Sequence, residues 1–178
     1  FDEKEEDIDI LNFSIHKMLG PTGVGVLYAS EDILEELTPL AVGGGSVVES
    51  TYRDINLNDI PQKFECGLQN YSGLCGVEEA VNYLMDIGLE NIEEHEKKLN
   101  KKITEELKDE VNIIGPDDPQ KRSGIFNFNM EDKTAEEIAG HLEDNDIIVR
   151  FGRNCAYSWY NSQNVEDGVR ASFYIYNS

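Results

Sequence analysis

A chain of 178 residues with 39% hydrophobic content is long enough for about one to one and a half domains and a real core. It has no uninterrupted apolar run near the ~20 residues of a membrane span. Its 36 Asp and Glu against 15 Lys and Arg give a formal net charge of −21, which excludes nucleic acid and anionic membranes as partners. Three cysteines with no CxxC pair, and no secretory segment at the start, imply a reducing, cytoplasmic setting without a metal site or a disulfide framework. The acid is spread over the whole chain, as on a solvated folded surface. Adaptation to high salt, where screening relieves self-repulsion, is the corresponding hypothesis, and equal melting temperatures in low salt and in molar KCl would refute it.

The first residue is Phe1, and the acidic opening from Asp2 to Asp7 runs straight into an apolar, strand-like piece from Ile8 to Phe13. That is the pattern of a chain cut from something longer. A second strand follows from Val24 to Tyr28, then a short helix from Glu31 to Leu37 that Pro39 ends. Gly43-Gly44-Gly45-Ser46 reads as a flexible turn or an anion cradle. From Gly73 the pattern is helical, with Val77, Ala80, Val81 and Leu84 on one face and Gly88 as its breaker. A longer helix is expected from Asn91 to Lys108, with Ile92, Leu99, Ile103 and Leu107 as its apolar stripe. His95, among Glu93, Glu94 and Glu96, reads as a surface residue and not a metal ligand.

The remainder alternates. Val111 to Ile114 and Gly124 to Asn129 are expected as strands around a loop from Pro116 to Arg122. Thr134 with Glu137 forms a capping box for a helix to about Asn145, in which His141 is structural. Ile147 to Val149 and Ser172 to Tyr176 complete the expected strands, giving a sheet with helices on one side.

Two stretches carry candidate chemistry. Lys17 lies directly after His16 and three residues after Ser14, ahead of a glycine-rich turn. A lysine that forms a Schiff base must be kept partly neutral, which burial beside a cation achieves, and a hydroxyl and an imidazole beside it can hold a phosphate. As an isolated pattern, Ser-x-His-Lys also fits a solvated surface pair. The second stretch is Arg150-Phe151-Gly152-Arg153-Asn154-Cys155-Ala156, where flanking cations favour the thiolate of Cys155. Cys66 and Cys75 read as packing residues.

Phe13-Ser14-Ile15-His16-Lys17 followed by Leu19-Gly20-Pro21-Thr22-Gly23 resembles the lysine segment of class V, fold type I pyridoxal-phosphate enzymes, the cysteine desulfurases and selenocysteine lyases. Family members commonly have glycine at the position of Ile15. Phe64-Glu65-Cys66-Gly67-Leu68-Gln69-Asn70 is similar to the family's F-E-x-G-T-x-N, with Leu68 where a threonine reaches the partner subunit's cofactor phosphate; Leu68 has no side-chain donor for that contact. The Arg150 to Ala156 segment resembles V-R-x-G-x-x-C-A, with Asn154 where histidine is common. Val169-Arg170-Ala171-Ser172 through Asn177 resembles R-A-S-x-x-x-Y-N.

The resemblance covers essentially the whole chain and implies an α/β fragment of a fold type I enzyme. Residues 1–90 would be the end of the large cofactor domain, and residues 91–178 a small C-terminal α+β domain, truncated at its end. It implies a cysteine desulfurase that turns L-cysteine into L-alanine. Lys17 would carry pyridoxal phosphate and move the substrate α-proton, Ser14 and His16 would bind the phosphate, and Arg170, with Arg150 nearby, would bind the substrate carboxylate. Cys155 would take the sulfur as a persulfide for an iron–sulfur scaffold or other acceptor protein, in a homodimer. The family's cofactor-stacking aromatic and its ring-nitrogen aspartate come from before the lysine segment, so the polypeptide alone is expected to be inactive. A selenocysteine lyase, another class V transferase, and a non-catalytic assembly module favoured by Leu68 and Asn154 are the rival readings.

Overall fold

The computed structural model describes residues 8–178. The acidic opening lies outside them. The chain divides into two compact units, one ending at Asp86 and the other running from Ile87 to Ser178.

In the first unit, β1 (Ile10–Ser14) and β2 (Gly25–Ala29) pair antiparallel, with Ser14 opposite Gly25. Helix α1 (Glu31–Glu36) follows, then the hairpin of β3 (Val47–Ser50) and β4 (Ile55–Leu57), and then α2 (Tyr71–Ile87). The inner face of α2 is Gly73, Ala80 and Leu84, all buried, with Val77 half-buried. Cys75 is exposed because it lies about 200° round the helix from Gly73, so it is not the packing residue expected of it. Cys66 is half-buried. Small residues on α2 permit close approach to the turn before β2: a Cβ on Gly76 would stand 2.6 Å from Pro21 Cγ, and one on Gly73 2.7 Å from Val24 Cγ2.

The glycine triplet is a closed structural turn. Ser46, fully buried, accepts from the Gly43 N–H at 3.0 Å through its hydroxyl. The Gly44 carbonyl accepts from the Gly67 N–H at 2.7 Å, and the Gly45 carbonyl from the Asn58 amide at 2.8 Å. The turn thus ties the Gly67-Leu68 segment to the β3–β4 hairpin.

The second unit opens with α3 (Leu89–Leu107) and continues through β5 (Asn112–Ile113), β6 (Ile125–Asn129), α4 (Ala135–Glu143), β7 (Arg150–Gly152), α5 (Tyr157–Ser162) and β8 (Gly168–Ser172). Its four strands form an antiparallel sheet in the order β5-β6-β8-β7. Phe126, Phe128 and Val169 are buried on one face against Ala135 and Ile138 of α4, with Ile103 and Leu107 of α3 packed against them. Strand alternation turns Asn127, Arg150 and Arg170 to the other face.

The α4 capping box forms as expected: Thr134 Oγ1 accepts from the Glu137 N–H, and the Glu137 carboxylate accepts from the Thr134 N–H at 2.9 Å. The Thr134 backbone bond, followed by its hydroxyl, holds the Glu137 carboxyl below the usual glutamate range. Helix α3 departs from its sequence pattern in one respect. Asn100 and Thr104, polar residues outside the expected apolar stripe, are buried, because the Asn100 amide donates to the carbonyls of Ser123 and Ile125 and Thr104 Oγ1 bonds back to the Asn100 carbonyl at 2.6 Å. Arg122 donates to Thr104 and lies over the Phe126 ring, and its burial pushes the guanidinium below its ordinary value against the pull of Asp117 and Asp118.

Two strands lie elsewhere than expected. Ile147 to Val149 is not a strand; pairing with β8 instead selects Arg150–Gly152, in a register that sets Gly152 opposite Gly168. The last strand is Gly168–Ser172 and not Ser172 to Tyr176, whose residues turn away, with the Asn177 side chain accepting from the Tyr174 N–H at 2.9 Å. Among the described residues no helix is long and apolar enough to cross a membrane, and no group of three or more His, Cys, Asp or Glu could hold a metal ion.

Candidate functional site

Lys17 sits in a 3₁₀ turn, Ile15–Met18, between β1 and β2. With three residues per turn, Ile15 and Met18 fall on the same edge, and that edge points inward: Ile15 is 1% exposed and Met18 half-buried. His16 and Lys17 are thereby turned outward, and both are exposed. The burial beside a cation expected for Lys17 is therefore not supplied by the described residues. The turn is closed by the Ile15 N–H donating to the Val24 carbonyl and the Gly20 N–H to the Ile15 carbonyl, each at 3.2 Å. Gly20 lies so close that a Cβ there would stand 2.1 Å from Ile15 Cγ2. Leu19, with φ of 66°, and Gly23, with φ of 78°, provide the left-handed bends.

Ser14 precedes the turn and its hydroxyl caps nothing, so it remains available to a ligand. A cleft of about 250 Å³ adjoins the turn, lined by Gly23, Gly25, Gln69 and Asn70 among others. Asn70 also starts α2, accepting from the Gly73 N–H at 3.0 Å. Leu68 is 89% exposed and meets no donor role.

In the second unit, Cys155 lies in a tight turn after β7, closed by the Ala156 N–H donating to the Arg153 carbonyl at 2.8 Å. Its central residues, Asn154 and Cys155, have φ of 49° and 65°, the signs of a type I′ turn, which favours asparagine first and glycine second. Cys155 thus occupies a glycine-favoured position, and its thiol is exposed. Asn154 has a conformational reason to replace histidine. Arg153 is not aimed at the thiol as a dedicated partner: its Nε donates to the Glu166 carbonyl and its Nη1 to Asn161 Oδ1, both at 2.8 Å, and it lies over the Tyr157 ring.

Arg170 on β8 is directly opposite Arg150 on β7 and opposite Asn127 on β6. Opposed residues of antiparallel strands share a face, so both arginine side chains leave the sheet on one side, a pairing that is destabilising for like charges left alone. Arg170 Nε is buried with no hydrogen-bond partner among the described residues. The ion pairs among those residues are all within α3, joining Glu93 to Lys97, Glu94 to Lys98 and Lys101 to Glu105.

The motifs announce neither the burial of Ile15 nor that of Tyr160. Ile15 enters them only as a departure from glycine, although an apolar residue between a hydroxyl and an imidazole is a signal for an anchor. Tyr160, 2% exposed, receives a 2.7 Å hydrogen bond from the Asn127 amide, a contact no local pattern announces.

The family model described as Aminotransferase class-V matches residues 1–178. A cysteine desulfurase of Haloferax volcanii is 37% identical over 99% of this chain and 42% of its own length. The apo structure of a cysteine desulfurase from Thermococcus onnurineus superposes with a TM-score of 0.91 at 36% identity, covering 99% of this chain and 44% of that one. An Escherichia coli cysteine desulfurase, in its S-sulfonic acid form, superposes with a TM-score of 0.87 at 28% identity over the same shares. The chain therefore spans less than half the length of the relatives it matches.

Proposed function

Because the chain belongs to the class V aminotransferase family, we propose that it carries residues of a pyridoxal-phosphate-dependent cysteine desulfurase, acting on L-cysteine and releasing L-alanine. The observation that supports this reading best is the Arg150–Arg170 pair. In a chain of net charge −21, two arginines opposed on one sheet face, one with a buried partnerless Nε, call for an anionic ligand. A substrate carboxylate suits the planar donor fork of Arg170.

The lysine turn fits the cofactor in its donor set. Ser14 Oγ, which caps nothing, and the exposed His16 ring would hold the phosphate, and Lys17 Nζ would be the point of attachment. Pyridoxal phosphate, when bound, supplies an electron sink at the substrate α-carbon. Lys17 Nζ would also move the substrate α-proton. The Cys155 thiolate attacks the substrate sulfur: an S–S bond forms, the Cβ–S bond breaks, and its electron pair stays with the carbon. That carbon takes a proton and leaves in alanine, while Cys155 keeps the sulfur as a persulfide for an acceptor or iron–sulfur scaffold protein. An exposed thiol in a tight turn supports hand-over to such a partner. A homodimer in the cytoplasm is part of the same proposal.

The test is a visible absorbance spectrum of the full-length protein, with the segment before the lysine turn present, in pyridoxal phosphate before and after L-cysteine, beside Lys17→Ala and Cys155→Ala. The proposal expects a cofactor band that Lys17→Ala loses, and alanine formation that both variants lose. A band with no turnover in the unaltered protein favours an assembly module, and turnover that survives Cys155→Ala favours a lyase that releases sulfur or selenium directly.

A further inference from the structure

We propose that Asn127 and Tyr160 are positioning residues for Arg170, holding its guanidinium so that the terminal fork faces a carboxylate. The inference rests on the carboxylate reading of Arg170 given above. Asn127 on β6 and Arg170 on β8 are register partners, so their side chains leave the sheet on one face. Each carries a buried polar atom without a partner among the described residues: Oδ1 of Asn127, an acceptor, and Nε of Arg170, a donor. Two complementary orphans on neighbouring side chains form one hydrogen bond after a small side-chain movement, and leaving either unmade is costly in a buried place. The Asn127 amide is oriented by its 2.7 Å bond from Nδ2 to Tyr160 Oη, which turns Oδ1 away from the tyrosine and leaves it free to accept.

The surroundings are built for this arrangement. Tyr160 is 2% exposed and is the buried residue of α5, the helix that begins two residues beyond Cys155. Gly168 makes the room: a Cβ there would stand 2.9 Å from Asn127 Oδ1 and 3.0 Å from Tyr160 Oη. With Nε engaged from behind by Asn127, the Nη atoms of Arg170 are the donors left for two carboxylate oxygens. Binding of the carboxylate draws Arg170 into that geometry, and the same hydrogen bonds lead through Tyr160 to the helix after the cysteine turn.

The experiment uses the holoenzyme and measures kcat and KM for L-cysteine, with cysteamine, which lacks the carboxylate, as competitor. Arg170→Leu is the control. Asn127→Ala is expected to raise KM about tenfold with kcat within about twofold, the loss of roughly one buried hydrogen bond to a charged group. Cysteamine inhibition stays unchanged, Asn127→Asp restores KM to within about threefold, and Tyr160→Phe raises KM about threefold, since only the orienting bond is lost. The proposal is overturned if Arg170→Leu raises KM while Asn127→Ala does not, or if Asn127→Ala weakens cysteamine as much as L-cysteine, the mark of a merely structural role. If Arg170→Leu itself leaves KM unchanged, the carboxylate reading falls instead. Should Asn127→Ala lose its melting transition, Tyr160→Phe carries the test, and an unchanged KM in that variant overturns the proposal.

Discussion

In the lysine turn the residue that is anchored and the residue with the amine are different, whereas in the cysteine turn the thiol itself sits where the backbone is strained. Ile15 is buried, Leu19 and Gly23 take the left-handed bends, and Lys17 is free of both duties. At the other turn Cys155 carries φ of 65° as well as the sulfur, and the buried weight rests on Tyr160, five residues on. Dividing the duties lets the first turn be rigid without constraining its functional side chain. Combining them in the second ties the reactive residue to a conformation that stability alone would give to glycine.

The contrast can be broken most forcefully at Ile15. Ile15→Ala removes the anchor under Gly20 and is expected to cost about 2–5 kcal/mol, the range for emptying a buried aliphatic site. Chemical denaturation measures it, and a loss below about 1 kcal/mol would show that the turn is held by its backbone bonds alone. Gly20→Ala attacks the same contact from the other side. Its new Cβ would meet Ile15 Cγ2 at 2.1 Å, so about 1–3 kcal/mol of overpacking is expected by the same measurement, and a neutral result would mean that the turn yields easily.

How much of this was legible in the sequence differs between the two turns for a physical reason. Helices α2 and α3 and the Thr134–Glu137 cap were readable because their signals are local: a periodic apolar face, or a hydroxyl and a carboxylate three residues apart. The lysine turn was readable as a motif, but not its orientation, since only burial of Ile15 and Met18 decides which way Lys17 faces. Strands β7 and β8 were misplaced by a few residues because apolar runs such as Ile147 to Val149 look more strand-like than Arg150–Gly152, and it is pairing with distant partners that selects the latter. Tyr160 was illegible for the same reason: its hydroxyl is paired with Asn127, 33 residues away.

At the cysteine turn the comparison is sharpened by replacing the thiol in two ways. Cys155→Gly and Cys155→Ala both remove the sulfur and lose sulfur transfer, but only glycine relaxes the positive φ. The glycine variant is expected to be more stable than the alanine variant by about 1 kcal/mol, the left-handed penalty less the entropy glycine brings to the unfolded chain. Paired denaturation curves read the difference. Alanine equal to or better than glycine would mean that the turn carries no strain at Cys155.

The smallest effect concerns Arg153, and it tests whether the cysteine turn has an anchor of its own. Its Nε and Nη1 reach the Glu166 carbonyl and Asn161 in two directions while its plane lies over Tyr157, so one side chain ties the turn to α5 and to the segment before β8. Lysine keeps the charge but has no fork and no plane to stack, so Arg153→Lys should retain at most one of these contacts. The site is half-buried, and the loss should be only about 0.5–1 kcal/mol globally. Locally it should be larger, because the Ala156 N–H that closes the turn on the Arg153 carbonyl would open to solvent more often. Hydrogen exchange at Ala156 is therefore the discriminating measurement. Faster exchange there, with the core amides of β6 unchanged, assigns Arg153 to holding the turn; unchanged exchange would leave the cysteine turn with the strain of Cys155 and no compensating anchor, which its closed geometry argues against.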